Sequence, residues 1–455
     1  MTSEGLRGRS FRWVVAAGLL LSLAANLPGH MSVDSVIALE EARSGVRQTW
    51  APAAFSGVLH LFDALLAGTG LYVTASSAVL FGSWMALPGL RPRTAWTGVL
   101  VAAAALLTPQ LMIYQGVVWR DVLFANVTIA GFVLIARAAA LWPVRRAWLS
   151  LAAAAVCLAL GAAVRQNGVV LVLAAAVALA WVARGGGWRA PLGWGLGGFA
   201  VTVALAFAIN AAAQPGEVAG HLRPGAEALI LEHYDVVGAL AHDPSLPLGD
   251  IAAADPAAAA AIRAGTPRIY SPARVDTLDS DAAFRHTLWH VPDAAMNAQW
   301  RDVVTRHPGP YLAHRLAVFE QLFLTPDLQA CLPVQVGVSG PVDMMDDLDL
   351  DGRLRPQDKA ARAYAQRFFA TPVYSHLTWA VVALLCAGAV LWRRERQDIV
   401  IAGLLLGALA FAASFLVISV ACDYRYLYLL DLAALTGLAY LALDPPLRRR
   451  LIPPP

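Results

Sequence analysis

Ten apolar stretches, each of about the 17 to 25 residues that cross a hydrocarbon core, run through this chain of 455 residues. They lie at 11–28, 69–88, 94–112, 121–141, 147–164, 168–183, 191–212, 374–392, 399–420 and 426–443. The pattern predicts an all-α polytopic membrane protein with about ten transmembrane helices. Composition agrees: 58% of the residues are hydrophobic and 14% charged, far from the balance of a soluble domain. A net charge of +3 gives no reason to expect nucleic acid.

Arginine placement predicts the orientation, because basic residues in short loops stay on the cytoplasmic side. Arg7, Arg9 and Arg12 precede the first stretch. Every second loop repeats the signal, at Arg91 and Arg93, Arg145 and Arg146, Arg184 and Arg189, Arg393, Arg394 and Arg396, and Arg448, Arg449 and Arg450. Ten spans with both ends inside satisfy all of them. The first stretch lacks a small-residue cleavage site and reads as retained.

Three parts follow: a seven-span module at 1–212, an extracytoplasmic domain at 213–373 and a three-span module at 374–455. The first outer loop, 29–68, is too polar to cross at "SVDSVIALEEARSGVRQTW". Its Val33, Ile37, Leu39 and Val46 alternate with charges as in an interfacial helix. "FSGVLHLFDALLAG", with His60 and Asp63, has interfacial or re-entrant length. The outer domain between spans seven and eight reads as mainly helical, with Asp255 and Asp293 as N-terminal caps and Pro308 and Pro310 as punctuation. Of four cysteines, Cys157 and Cys386 fall within spans. Cys331 and Cys422 fall outside, where they read as buried or idle thiols, with a disulfide as the alternative.

Outer-loop charges carry the functional signal. The short outer loops hold Arg120 and Asp121 in "QGVVWRDVLFA", Arg165 in "VRQNG", and Asp423 and Arg425 in "CDYRYLY". The first loop adds Asp34, Glu40, Glu41, Arg43 and Arg47. Ionisable groups at a membrane edge are costly unless they face a cavity, pair or bind something. Arg120 and Asp121 pairing with each other is the plain alternative; three such loops point to a shared site. Guanidinium groups match phosphate oxygens, and a nearby carboxylate would serve as a general base or hold a divalent metal against a diphosphate. With Trp50, Tyr114 and Trp119 read as exposed aromatics, this chemistry suits sugar transfer from a lipid carrier.

The layout resembles the GT-C superfamily of polyprenyl-phosphate-sugar glycosyltransferases, the group of protein O-mannosyltransferases and the lipid A aminoarabinose transferase. "SVDSVIALEEA" follows the first span, "TWAP" leads into an interfacial helix, "VVWRDVLF" follows the third span, and "DYRYLY" opens the last. The resemblance implies Asp34 as catalytic base, Asp121 as the acid of the second outer loop, and Arg120, Arg165 and Arg425 as donor-phosphate ligands. Trp50, Tyr114, Gln115, Trp119, Gln166, Asp423 and Tyr424 would complete the substrate site. The implied donor is a polyprenyl-phosphate sugar, the acceptor a lipid, glycan or protein, and the place the outer face of the cytoplasmic membrane, among its lipids. Asp34 is followed by Ser35 rather than a second acid, and the first loop has no DxD, so no cofactor is certain and a divalent metal is left open. For Asp34 the alternative role is a helix N-cap.

Two further patterns carry bland readings. "DLDLDGRLRPQD", ending at Asp358, has the spacing of a calcium loop but reads as a solvated acidic loop. His286 and His290 have the i, i+4 spacing of a zinc pair, yet "HTLWH" lacks the protease glutamate; with His307 and His314 they read as surface or packing residues. Two other functions compete with transfer: an O-antigen ligase or polymerase using a diphosphate-linked glycan, and a transporter. Polar residues gathered on one face favour surface chemistry over passage.

Overall fold

The computed structural model describes residues 3–143, 146–187, 189–214, 216–220, 222, 225–369 and 371–445. Arg145, Arg448, Arg449 and Arg450, counted above as orienting arginines, lie outside the described residues. The first outer loop follows α1 (Ser3–Asn26) and contains α2 (Val33–Ser44), β1 (Val46–Arg47) and α3 (Ala54–Leu65). Then come α4 (Gly70–Ala86), α5 (Trp96–Leu106), α6 (Pro109–Met112), α7 (Arg120–Ala140), α8 (Ala147–Val164), α9 (Val169–Val182), α10 (Arg189–Ala212) and β2 (Glu217–Val218). The middle of the chain forms α11 (Ala226–His242), α12 (Gly249–Ala254), α13 (Pro256–Ile269), α14 (Ala282–His290), α15 (Asp293–Arg306) and α16 (Pro308–Leu324). Last are α17 (Val342–Asp347), α18 (Pro356–Gln366), α19 (His376–Arg393), α20 (Arg396–Ile418) and α21 (Tyr428–Leu443).

Seven helices among the described residues are long and apolar enough to cross a membrane: α4 with its extension to Leu90, α7, α8, α10, α19, α20, and α21 with the turn from Tyr424. The chain is a multi-pass, mainly helical membrane protein. The other three predicted spans are helical but less regular. α1 carries Arg7, Arg9 and Arg12 in its first half. α9 has only 14 residues. The stretch at 94–112 breaks into α5 and a second piece, Pro109–Gly116, at 73°. Pro109 causes the break, because a residue before proline is driven out of helical geometry, and Thr108 is extended at ψ 147.

Two compact units form. The first comprises residues 1–219, 334–412 and 427–455; the second comprises 220–333 and 413–426. This division groups residues 213–219 and 334–373 with the first unit. Residues 334–373 belong with the first unit because they hydrogen-bond to the first outer loop: Met31 N–H donates to Gly337 O and Ser339 N–H to Met31 O, each at 2.9 Å.

In the first unit α7 is the most enclosed membrane helix and α10 the least. α7 packs against α4, α8 and α21, while α19 covers α21. Its polar interior is a closed network. The Gln115 amide donates to Tyr428 Oη at 2.8 Å and to Asn126 Oδ1 at 3.1 Å; Asn126 Nδ2 donates to Gln115 Oε1 and to Ser76 O, each at 3.0 Å. Tyr114 stacks on Tyr428 with centroids 4.9 Å apart. Gly116 permits the close passage of α1, since any Cβ there would overlap Asn26.

The two ends of α7 differ. Near its start the chain forms short bridges, His30 to Val117 and Met31 to Val338, both parallel. At its far end a buried ion network gathers α20 and α21. Arg91 donates to Glu395 at 2.9 Å, Asp398 at 3.1 Å and Asp444 at 2.6 Å, and Arg393 donates to Asp398 at 2.7 Å.

The second unit is built on α11, which packs against α13, α15 and α16 around Tyr234, Val237, Leu240, Ile262, Met296 and Val318. Gly238 lets α16 approach, because a Cβ would strike the His314 ring. Asp235 is fully buried in an ion pair with Arg315 and accepts Trp300 Nε1 at 2.7 Å, and His314 Nε2 lies 3.3 Å away. Arg315 also donates to Ser419 O at 2.8 Å. Cys331 and Cys422 are joined in a disulfide, so the reading of both as idle thiols is overturned. Their Cα atoms are 4.8 Å apart because Tyr424 N–H donates to Cys331 O and aligns the two segments.

Candidate functional site

The loop between α1 and α4 is braced by its own side chains. Ser32 is the N-cap residue of α2, and its N–H donates to Ser35 Oγ at 3.2 Å. Asp34 therefore sits in the first turn rather than at the cap, which removes its alternative role; it is exposed. Glu41 is buried and accepts four hydrogen bonds, from Gln48 N, Thr49 N, Thr49 Oγ1 and Ser56 Oγ at 2.6 to 3.1 Å. Arg43 grips Asp63 with two bonds of 2.9 and 2.8 Å, which holds the Asp63 carboxyl below its usual range. Arg47 donates to the carbonyls of Thr49, Trp50 and Ala51.

That loop is fastened to the segment before α7. Ser35 Oγ donates to Val118 O at 2.6 Å, and Trp119 Nε1 donates to Ser32 Oγ at 2.8 Å. These two bonds flank Asp34 and set the first turn of α2 beside the segment that opens α7 with Arg120 and Asp121. His30 locks the same junction. Its Nδ1 accepts Gly337 N–H at 3.1 Å, so Nε2 carries the proton to Asn26 Oδ1 at 2.9 Å. Burial lowers its pKa to about 4, against the opposing pull of Asp358.

Behind the junction Asp121 forms an ion pair with Arg165, and both side chains are buried. Arg165 stands where α8 ends in extended backbone, with its guanidinium 5.7 Å from the Phe411 ring centroid. This pairing alters the expected role of Asp121. The buried Asp121 carboxylate is committed to the Arg165 guanidinium. Arg120 is half-buried at the first residue of α7, and Gln166 is exposed beside Arg165.

Several residues expected to touch substrate lie inside the protein. Tyr114 and Gln115 belong to the closed network around Tyr428; Trp119 is 5% exposed, its indole committed to Ser32. Trp50 alone of the three aromatics expected outside is half-buried rather than buried. In the second unit Tyr424 is fully buried. Asp423 there accepts Arg274 at 2.7 Å on one oxygen and Arg425 at 3.2 Å on the other. Arg274 had no sequence signal, because its partner is brought in by tertiary pairing: Cys422 N–H donates to Ala273 O and Val275 N–H to Val420 O.

Among the described residues no three His, Cys, Asp or Glu side chains converge as a metal-binding group. Asp121 is held by Arg165, and both oxygens of Asp358, the twelfth position of the calcium-like loop, accept from Arg355 of the same loop, at 2.9 and 2.7 Å. His286 and His290 stack ring on ring at 3.8 Å, and His314 lies in the core.

No family model matches the chain, and no curated protein does. Among solved structures, the chain is similar to the archaeal oligosaccharyltransferase AglB from Archaeoglobus fulgidus in complex with an inhibitory peptide and a dolichol-phosphate. Identity is 13% and the TM-score 0.39, covering 98% of this chain and 52% of that one. The chain thus spans about half the length of that structure.

Proposed function

We propose that the chain is an integral-membrane glycosyltransferase that moves a sugar from a polyprenyl-phosphate donor to an acceptor hydroxyl at the outer face of the cytoplasmic membrane. The observation that carries the reading is the clamp made by Ser35 on Val118 and Trp119 on Ser32. It holds the exposed Asp34 carboxylate next to a segment bearing the Arg120 guanidinium. The arginine pattern, with basic residues before the first apolar stretch and in every second loop, supports a reading with that clamp on the outer face.

Asp34 takes the acceptor O–H proton as the acceptor oxygen bonds to the anomeric carbon. The bond from that carbon to the phosphate oxygen breaks on the opposite face, its electron pair leaving with the phosphate. The sugar inverts, and the carrier departs as a phosphate monoester. Arg120 and Arg165 offset the charge that grows there, with Asp121 fixing the Arg165 side chain. No ligand set for a metal is assembled from these residues, and no step is assigned to one.

Purified protein in nanodiscs, given a panel of polyprenyl-phosphate sugars, should consume one of them. Asp34→Asn should retain the fold and lose transfer. Wild-type turnover of a diphosphate-linked glycan with no use of any monophosphate donor would replace this reading with the ligase.

A further inference from the structure

The end of the first unit away from α2 holds a cavity of about 680 Å³ lined by Arg12, Arg137 and Arg146, with no acidic residue in its wall. Arg12 comes from α1, Arg137 from the last turn of α7, and Arg146 from the residue before α8. Along α7, Arg137 is roughly 24 Å from Asp121 at 1.5 Å per residue, so the cavity is remote from the candidate transfer site. Leu134 and Leu149 contribute apolar wall.

Charge accounting at this end is unequal. Arg91 and Arg393 engage Glu395, Asp398 and Asp444. Arg12, Arg137 and Arg146 have no carboxylate partner among the described residues; Arg12 donates its Nε to Met85 O at 3.1 Å. Arg12, Arg137 and Arg146 are exposed, and a concavity lined by charges of one sign concentrates ions of the other. Guanidinium forks suit phosphate oxygens, and apolar walls beside them suit acyl chains; basic pockets between membrane helices bind lipid head groups in this manner.

We infer that this cavity is a binding site for the phosphate head group of an anionic glycerophospholipid in the membrane leaflet at this end of α7. Arg12, Arg137 and Arg146 hold the phosphate, and the leucine wall receives the start of the acyl chains. The inference is independent of the proposed transferase activity.

Native mass spectrometry of the full chain tests it, after incubation with phosphatidylglycerol, phosphatidylcholine or inorganic phosphate. The wild type should retain phosphatidylglycerol in preference to phosphatidylcholine. Each of Arg12→Gln, Arg137→Gln and Arg146→Gln should weaken that retention roughly fivefold, the effect of one basic residue at an anionic surface. Arg137→Lys should keep most of it, and Arg93→Gln, an exposed arginine at the same end that does not line the cavity, should leave it unchanged. Equal retention of both lipids by the wild type overturns the site. So does a triple variant that holds phosphatidylglycerol as well as Arg93→Gln does. Displacement of the lipid by equimolar inorganic phosphate would show a site for the free anion instead and overturn the lipid assignment. Melting curves of every variant in neutral lipid keep loss of binding separate from loss of fold.

Discussion

Asp121, in the first turn of α7, is ion-paired with Arg165 at the end of α8, and both are buried. Removing one partner of a buried pair leaves an uncompensated charge, at a cost of about 3 to 5 kcal/mol. Asp121→Ala and Arg165→Ala should each lower the unfolding midpoint in detergent. The double variant Asp121→Leu with Arg165→Met should regain most of that stability, because apolar replacements satisfy each other, yet remain inactive in transfer. Full activity of the double variant would remove Arg165 from the phosphate site.

Asp34 and Glu41 stand on the same helix with opposite expected phenotypes. Asp34 is exposed, and Ser32, Ser35 and Glu41 make buried or half-buried hydrogen bonds that hold α2. Asp34→Asn should therefore melt like the wild type and transfer about 10²- to 10⁴-fold more slowly, the usual loss with a positioned base. Glu41→Ala leaves several donors without their acceptor, at about 1 to 3 kcal/mol for each one that stays dry. It should show its loss first in proteolysis of the first outer loop.

His30 makes stability depend on pH. In the fold it takes up a proton only near pH 4, against about 6.5 for a solvated imidazole. Its contribution is complete above about pH 6.5 and is lost as pH falls toward 4, amounting to about 3 kcal/mol across that window. The unfolding midpoint of His30→Gln should fall less steeply than that of the wild type between pH 6.5 and 4, and parallel curves would refute the assignment.

Cys331 and Cys422 close a loop of 91 residues of sequence separation. A bridge of that span commonly stabilises by about 2 to 4 kcal/mol. Cys422→Ser should lower the thermal stability of the second unit by that order. It should also expose the peptide bonds near Asp423 to hydrogen exchange, since the Ala273 and Cys331 carbonyls that hold this segment depend on the same alignment.

The sequence by itself determined the membrane character of the chain, its helical content and the segments in which charge meets the membrane edge. Those properties are local: an apolar run of sufficient length, a proline before a turn, or a serine three residues from another acts on its own neighbourhood. The same locality explains what it misjudged. Gln115 and Tyr114 are polar and aromatic residues beside a loop, which reads as exposure, whereas Tyr428 and Asn126 enclose them from elsewhere in the chain. Tertiary structure alone decided that Asp121 faces Arg165, that Asp423 sits between Arg274 and Arg425, and that Cys331 meets Cys422. A charge or thiol carries no local mark of its partner. The partner is fixed by which helices pack together, and that depends on the shape of the whole interior.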